Sequence, residues 1–260
     1  MNTSPLLKGK TVLIVGAAGR IGRIIVDAVV SNGGRAVALD TDAAGLQTLI
    51  DAHGSSALDC ATLDIADRAS IERALADAHE RFGRVDGAVN TAYPRNSRYG
   101  RHFFDVEYAD FCENTGLHMG GYFLFMQACA RYALESGQPF SLVNLSSIYG
   151  SMAPRFDVYA DTAMTMPVEY AAIKAGLEHM TRYVNAYMKG RGAAFRANCV
   201  SPGGIKDGQD ERFLNSYRTH CMSKGMLDAS DVMGAILFLL SDQSRFVAGQ
   251  TLVVDDGFSL

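Results

Sequence analysis

Tryptophan is absent from this 260-residue chain, and proline occurs only six times. No Pro/Ser-rich linker, internal repeat or low-complexity segment divides the sequence, so one domain spanning residues 1–260 is expected. A basic excess is also missing: 24 Lys and Arg stand against 28 Asp and Glu, a net charge of −4. That balance argues against a nucleic-acid partner, because phosphate binding draws on surplus positive charge. Long apolar runs are lacking. The run Ala235–Leu240 falls far short of the roughly 20 residues that span a membrane, so no membrane partner is expected. The opening MNTSPLLKGK has no apolar stretch of the secretory type. The five cysteines are odd in number and form no CxxC pair, which reads as reduced thiols in a cytoplasmic protein. The six histidines are scattered without an HExxH pattern, and no metal site is expected.

Short β-branched or apolar runs alternate with longer stretches of helical period. Strands are expected at Thr11–Val15, Ala36–Leu39, Ala57–Leu63, Gly87–Val89, Phe140–Leu145, Ala194–Val200 and Thr251–Val254. Helices are expected at Ile21–Ser31, Ala43–Ala52, Ala69–Phe82, Tyr108–Leu134, Tyr170–Met188 and Val232–Leu240. Alternation of this kind implies crossover units. The expected fold is α/β, a single doubly wound Rossmann-type domain with a parallel sheet and helices on both faces. Ligands of such sheets bind beyond the carboxyl ends of the strands, which directs attention to the loops there.

The first such loop carries Gly16, Gly19 and Gly22 between a strand and an amphipathic helix. Glycines in that context let backbone N–H groups approach a pyrophosphate. Asp40 closes the second strand, where a carboxylate accepts from a ribose diol and repels a 2′-phosphate; NAD is favoured over NADP. Arg20 is the residue that could attract the 2′-phosphate instead. Asp64 ends the third strand, where it either reaches an adenine amino group or caps the next helix. Ser146 and Ser147 follow the fifth strand, and Tyr170 and Lys174 stand four apart on one helix face. A phenol near pKa 10 is a poor proton carrier at neutral pH, and a neighbouring ammonium, with a positive nicotinamide ring, is expected to lower that value.

Together these residues resemble the short-chain dehydrogenase/reductase family over essentially the whole chain. The segments Asn90–Tyr93 (NTAY), Asn198–Gly203 (NCVSPG) and Gly249–Gly257 (GQTLVVDDG) strengthen the resemblance. It implies that Tyr170 is the general acid/base, that Lys174 holds the nicotinamide ribose and tunes Tyr170, and that Ser147 is the catalytic serine. It also implies a cofactor lined by Gly16, Gly19, Arg20, Ile21, Gly22, Asp40, Asp64, Ile65, Asn90, Ala92, Pro202, Gly203 and Ile205, besides Tyr170 and Lys174. Substrate would meet Tyr93, Arg95, Ser147, Tyr149, Arg155 and Gly204. A homodimer through the long helices, or a homotetramer, follows from the same resemblance.

Three departures stand out. The glycine loop reads GxxGxxG, a spacing found in the longer epimerase-like branch of the family. Ser147 and Tyr170 lie 170 − 147 = 23 residues apart, longer than the family's usual dozen or so, which implies an insertion within residues 151–169. Tyr159 in that insertion has Ala163, not lysine, four residues on, and so is not the acid. His118 occupies the place of the family's helical asparagine, with Asn114 one turn earlier. Residues 204–226 are expected to form a further substrate-side loop.

A narrower resemblance, to the flagellin modification protein A group of bacterial short-chain oxidoreductases, rests on AYPRNSRYG, SSIYG, PVEYAAIKAG, SPGG and VDDGFSL. It implies a small, sugar-derived substrate of nonulosonic-acid or surface-glycan chemistry. Arg95, Arg98, Arg101, Arg155 and Lys206 all fall on loops near one cleft of an acidic chain, so an anionic group on the substrate is expected. The alternatives are a sugar-nucleotide epimerase or dehydratase, and a catalytically silent dinucleotide-binding module.

Overall fold

Every residue of the first strand, β1 (Thr11–Val15), is buried, and the chain's architecture is laid around it. The structure is a computed structural model that describes residues 5–53 and 57–260. Among the described residues seven strands follow in chain order: β1, β2 (Arg35–Asp40), β3 (Leu58–Thr62), β4 (Gly87–Asn90), β5 (Phe140–Leu145), β6 (Phe195–Pro202) and β7 (Thr251–Val254). They form one parallel sheet in the order β3-β2-β1-β4-β5-β6-β7. Strands buried on both faces read as continuous apolar runs, which is why TVLIV and FSLVNL carry so little alternation.

Among the described residues eight helices accompany the sheet: α1 (Arg20–Ser31), α2 (Ala43–His53), α3 (Arg68–Phe82), α4 (Tyr108–Thr115), α5 (Gly121–Ser136), α6 (Val168–Met188), α7 (Glu211–Arg218) and α8 (Met233–Leu240). Ile25, Val29, Ile236 and Leu239 fill the core on one face of the sheet, and Leu13, Ile71, Phe125 and Leu177 on the other. Truncating one of these to alanine costs about 2–5 kcal/mol.

Strand order reverses between β1 and β4, so their connections leave in opposite directions and open a crevice at their carboxyl ends. The expected helical region over Tyr108–Leu134 is helical throughout as α4 and α5, with a widened π turn at Gly116–Gly120 between them that the sequence pattern does not announce. Such turns insert one residue into an α-helix and cluster at functional sites. Helix α7 carried no expectation; it lies in the expected 204–226 substrate-side segment. Most of the expected insertion 151–169 is a loop with a 3-10 turn at Phe156–Tyr159, and α6 opens at Val168.

Candidate active site

Beyond β1 the chain turns through Gly16, whose φ of 79° suits glycine, and whose added Cβ would lie 2.6 Å from the Thr91 hydroxyl. At Gly22 a Cβ would fall 2.0 Å from the Gly16 carbonyl, so only glycine lets α1 start so close to the strand. Helix α1 begins with Gly19 as its cap, with no side chain on its first N–H groups and no acid in its first turn. An uncapped N-terminus aimed into the crevice suits an anion such as a pyrophosphate.

Asp40 stands beside this loop, accepting from the Ala18 N–H at 2.9 Å and the Asp42 N–H at 3.0 Å. Arg20 turns away from it. Its guanidinium donates to the Lys206 carbonyl and pairs with Asp207, tying the glycine loop to the loop after β6. Ile21 lines the cleft beside it. Asp64 accepts from the Ala66 N–H at 2.8 Å, shaping the turn before α3; the helix cap itself is Asp67. Ile65 is buried in the core next to this turn. At the end of β4, Asn90 is fully buried; its Oδ1 accepts from the Ala92 N–H at 3.1 Å, and its Nδ2 has no partner among the described residues.

A cleft of about 450 Å³ opens over these strand ends, lined by Tyr93, Ser147, Tyr149, Tyr170, Lys174, Pro202, Gly203, Gly204 and Ile205 among others. The structure thus brings the serine, tyrosine and lysine together. Lys174 Nζ donates to the Leu145 carbonyl at 2.7 Å and lies 5.4 Å from the Tyr170 ring centre, 5.7 Å from that of Tyr122 and 6.0 Å from that of Tyr93. Burial lowers the Lys174 ammonium to about 7, opposed by Cys199 and Glu178. Burial likewise raises the Tyr170 phenol above its ordinary value of 10; the facing Ser147 hydroxyl works against it. In the cofactor-free protein desolvation of the phenolate is thus the largest influence on Tyr170.

His118 sits in the π turn, 1% exposed, with its ring 5.0 Å from Tyr93 and 5.3 Å from Tyr122. Neither ring nitrogen has a partner among the described residues. Burial, with the charges of Lys174 and Arg95, lowers its pKa to about 2, so it is a neutral imidazole with one donor and one acceptor free. Asn114 is committed elsewhere, accepting from the Asn96 N–H at 2.9 Å and donating to Glu169 at 3.4 Å. Tyr93 stands where the resemblance has glycine. Its ring meets Tyr170 edge-on at 5.7 Å, and its hydroxyl donates to Tyr99 at 2.7 Å.

The five loop bases depart from expectation, since none of them lines the cleft. Arg98 and Arg101 converge on Asp110 at 3.4 and 3.7 Å, and Lys206 faces Asp228 at 3.9 Å. Arg155, expected at the substrate, donates to the Leu260 carbonyl at 3.0 Å and covers the Phe258 ring. Local acids and a main-chain carbonyl outcompete an open cleft for these guanidinium groups. Arg95, like Arg155, makes no ion pair among the described residues; its guanidinium donates to the Tyr93 carbonyl at 3.3 Å and lies 4.7 Å over the ring of Tyr93, which lines the cleft.

Sequence reasoning missed Glu178, which is buried one turn beyond Lys174 and accepts from Ser146 at 3.1 Å and Ser201 at 2.8 Å. It thereby braces the strand ends under the cleft. The signal was present: Tyr170, Lys174 and Glu178 form one i, i+4, i+8 stripe. Tyr159 and Tyr217, which also line the cleft, were not foreseen as lining residues. Among the described residues no cluster could hold a metal, and no helix is long and apolar enough to cross a membrane.

Comparison with known proteins bears on this geometry. The family model described as enoyl-(acyl carrier protein) reductase matches residues 16–259. Post-translational flagellin modification protein A of Campylobacter coli is 37% identical over 98% of this chain and 100% of its own length. D-threitol dehydrogenase of Mycolicibacterium smegmatis is 28% identical over 98% of this chain and 94% of its own. A short-chain dehydrogenase from Leptospira borgpetersenii, crystallised with bound NAD+, superposes with a TM-score of 0.87 at 30% identity, covering 100% of this chain and 96% of that one.

Proposed function

The chain belongs to the short-chain dehydrogenase/reductase family, and from that premise we propose that it interconverts an alcohol and a ketone on a carbohydrate-like molecule of bacterial surface-glycan, nonulosonic-acid type chemistry. The observation that carries this reading is the meeting of Ser147, Tyr170 and Lys174 in one cleft beside the glycine loop. The uncapped start of α1 would take the pyrophosphate and Asp40 the adenosine ribose, which supports NAD over NADP. Asn90, Ala92, Pro202, Gly203 and Ile205 would border the nicotinamide end, and Asp64 with Ile65 the adenine. Bound there, a nicotinamide dinucleotide supplies the hydride donor or acceptor.

The protein's own groups do the rest. Ser147 holds the substrate oxygen. Tyr170, kept protonated by burial, hands that oxygen a proton in the reducing direction and takes one back in oxidation. Lys174 holds the ribose and the positive charge that steadies the phenolate while it lasts. His118, neutral and with both nitrogens unengaged, carries a proton between this end of the cleft and a water beside Tyr93. Arg95, over the ring of the cleft-lining Tyr93 and without an ion pair among the described residues, would meet an anionic handle of the substrate. The exposed faces of α5 and α6, with Phe123 48%, Tyr183 67% and Tyr187 52% exposed, support a homodimer or homotetramer.

The test is a screen of sugars, sugar phosphates and nucleotide sugars with NAD and NADP, read by the absorbance of the reduced nicotinamide. Net cofactor turnover with a hydroxylated substrate is expected. Conversion of a nucleotide sugar with no net change in the cofactor would replace this reading with epimerisation.

A further inference from the structure

The wall of the cleft facing Tyr170 is built from residues that the shared chemistry of Ser147, Tyr170 and Lys174 does not use. Tyr149 follows Ser147 closely, and Tyr159 comes from the long 151–169 segment; their hydroxyls lie 3.4 Å apart and both are buried. Burial raises both phenols above their ordinary value, so each stays a neutral donor and acceptor. One hydrogen bond shared between two phenols leaves one O–H and further lone pairs free. A substrate hydroxyl can accept the free proton and donate its own to the other oxygen.

Around that pair the lining is apolar: Ile148, Met164, Met166, Phe213 and Met226. The charged residues lining the cleft are Arg20, Asp207 and Lys174. The first two neutralise each other at the glycine-loop end, and the third is tied to the Leu145 carbonyl. Arg155, whose charge reaches Tyr149 opposed by that of Asp157, does not line the cleft and is held by the Leu260 carbonyl and the Phe258 ring. A carboxylate or phosphate pushed in beside the phenols would lose its water and find no free cation among the lining residues.

We propose that the cleft receives the reacting end of its substrate as an uncharged, hydroxylated carbon segment with an apolar face, and that the Tyr149–Tyr159 phenol pair selects it by gripping a hydroxyl beyond the reacting carbon. The proposal rests on the hydride-transfer reading for its orientation, since Tyr170 marks the reacting end. Any anionic group belongs outside, at Arg95. Methionines beside aromatic rings adapt to the shape of that apolar face.

The experiment uses the NAD-loaded enzyme and four probes: D-threitol, xylitol, and the matching carboxylates threonate and xylonate. Equilibrium binding is measured by calorimetry, and cofactor reduction is followed separately. The polyols should bind at least about tenfold more tightly than their carboxylates. Tyr149→Phe and Tyr159→Phe keep both rings in place and should each weaken polyol binding about 3- to 10-fold, the scale of one lost hydrogen bond. Butane-1,2-diol, which lacks the further hydroxyls, should bind wild type and variants alike. Carboxylates bound as well as polyols, no polyol binding, or polyol binding indifferent to both variants would each overturn the proposal. Phenol-dependent polyol binding with no cofactor reduction would leave it standing and remove the hydride-transfer reading instead.

Discussion

Replacing Asp40 by asparagine tests the cofactor preference at the atom that sets it. The carboxylate receives the N–H groups of Ala18 and Asp42 at 2.9 and 3.0 Å. Asparagine has one carbonyl oxygen to offer, so one of these donors is lost at a cost of about 1 kcal/mol, too little to undo the loop. The electrostatic effect is larger. A 2′-phosphate within roughly 5 Å of the carboxylate would meet about 0.8–3.3 kcal/mol of repulsion per unit of its charge, between effective dielectrics of about 80 and 20. Asp40 is half-buried, so the lower part of that range applies, about 1–3 kcal/mol in all. Dissociation constants for NADH and NADPH, measured by nicotinamide fluorescence, should show a wild-type preference for NADH. Asp40→Asn should shrink that preference about 5- to 150-fold. High salt should shrink it in the wild type too. Arg20 is engaged with the Lys206 carbonyl and Asp207, so Arg20→Ala should leave the ratio nearly unchanged. A wild type that prefers NADPH, or a ratio unmoved in Asp40→Asn, would refute the argument.

Tyr170→Phe should slow turnover by about 10²–10⁴ while NADH binding persists; near-normal turnover would eliminate the phenol as proton carrier. Lys174 gives a pH signature: with its value lowered to about 7 in the folded protein, the unfolded chain binds the extra proton between about pH 7 and 10.5. Stability of the cofactor-free protein should therefore rise with pH across that window, by up to about 1.4 kcal/mol per unit, and Lys174→Met should remove that part of the slope in urea unfolding. Identical slopes in both proteins would show that the lysine is not held below its ordinary value. His118→Leu should cut kcat at least about tenfold with NADH affinity intact, whereas His118→Asn keeps a polar group there and should retain most activity; an unimpaired leucine variant would make the histidine a packing residue. Sedimentation at micromolar concentration should give a dimer or larger, and Tyr183→Glu should weaken it; a monomeric wild type would refute the assembly.

What could be read from the sequence was whatever depends on local pattern. The apolar run Thr11–Val15, the three glycines after it and the i, i+4 pair of Tyr170 and Lys174 each carry their meaning in spacing. The parallel order followed from alternation, with small boundary shifts such as β2, which extends to Arg35 and Asp40. What was not legible depends on neighbours distant in the chain. Arg155 was read as facing substrate because its loop does, yet a carbonyl 105 residues away claims it. Asp110 likewise gathers Arg98 and Arg101. The upward push on the Tyr170 phenol in the cofactor-free protein comes from how completely the fold removes it from water, which spacing along the chain does not reveal. The π turn within Tyr108–Leu134 is hidden because apolar residues recur through it, although Gly116, Gly120 and Gly121 are weak helix formers.

That π turn holds one residue more than a regular helix would need, and this has a consequence for descent. Deleting a single codon within Gly116–Gly120 would let the ladder close as α-helix, with α5 kept in place by Tyr122, Phe125 and Cys129. Everything upstream would then wind around the axis by about 100°. Asn114 would leave its bonds to Asn96 and Glu169, and a different side chain would arrive against the Tyr93 and Tyr122 rings where His118 now lies. The residue packed behind Tyr93 at this point can thus change in a lineage by insertion or deletion, with no substitution at position 118. A column-by-column alignment across such an event would pair His118 with a residue that never occupied its place.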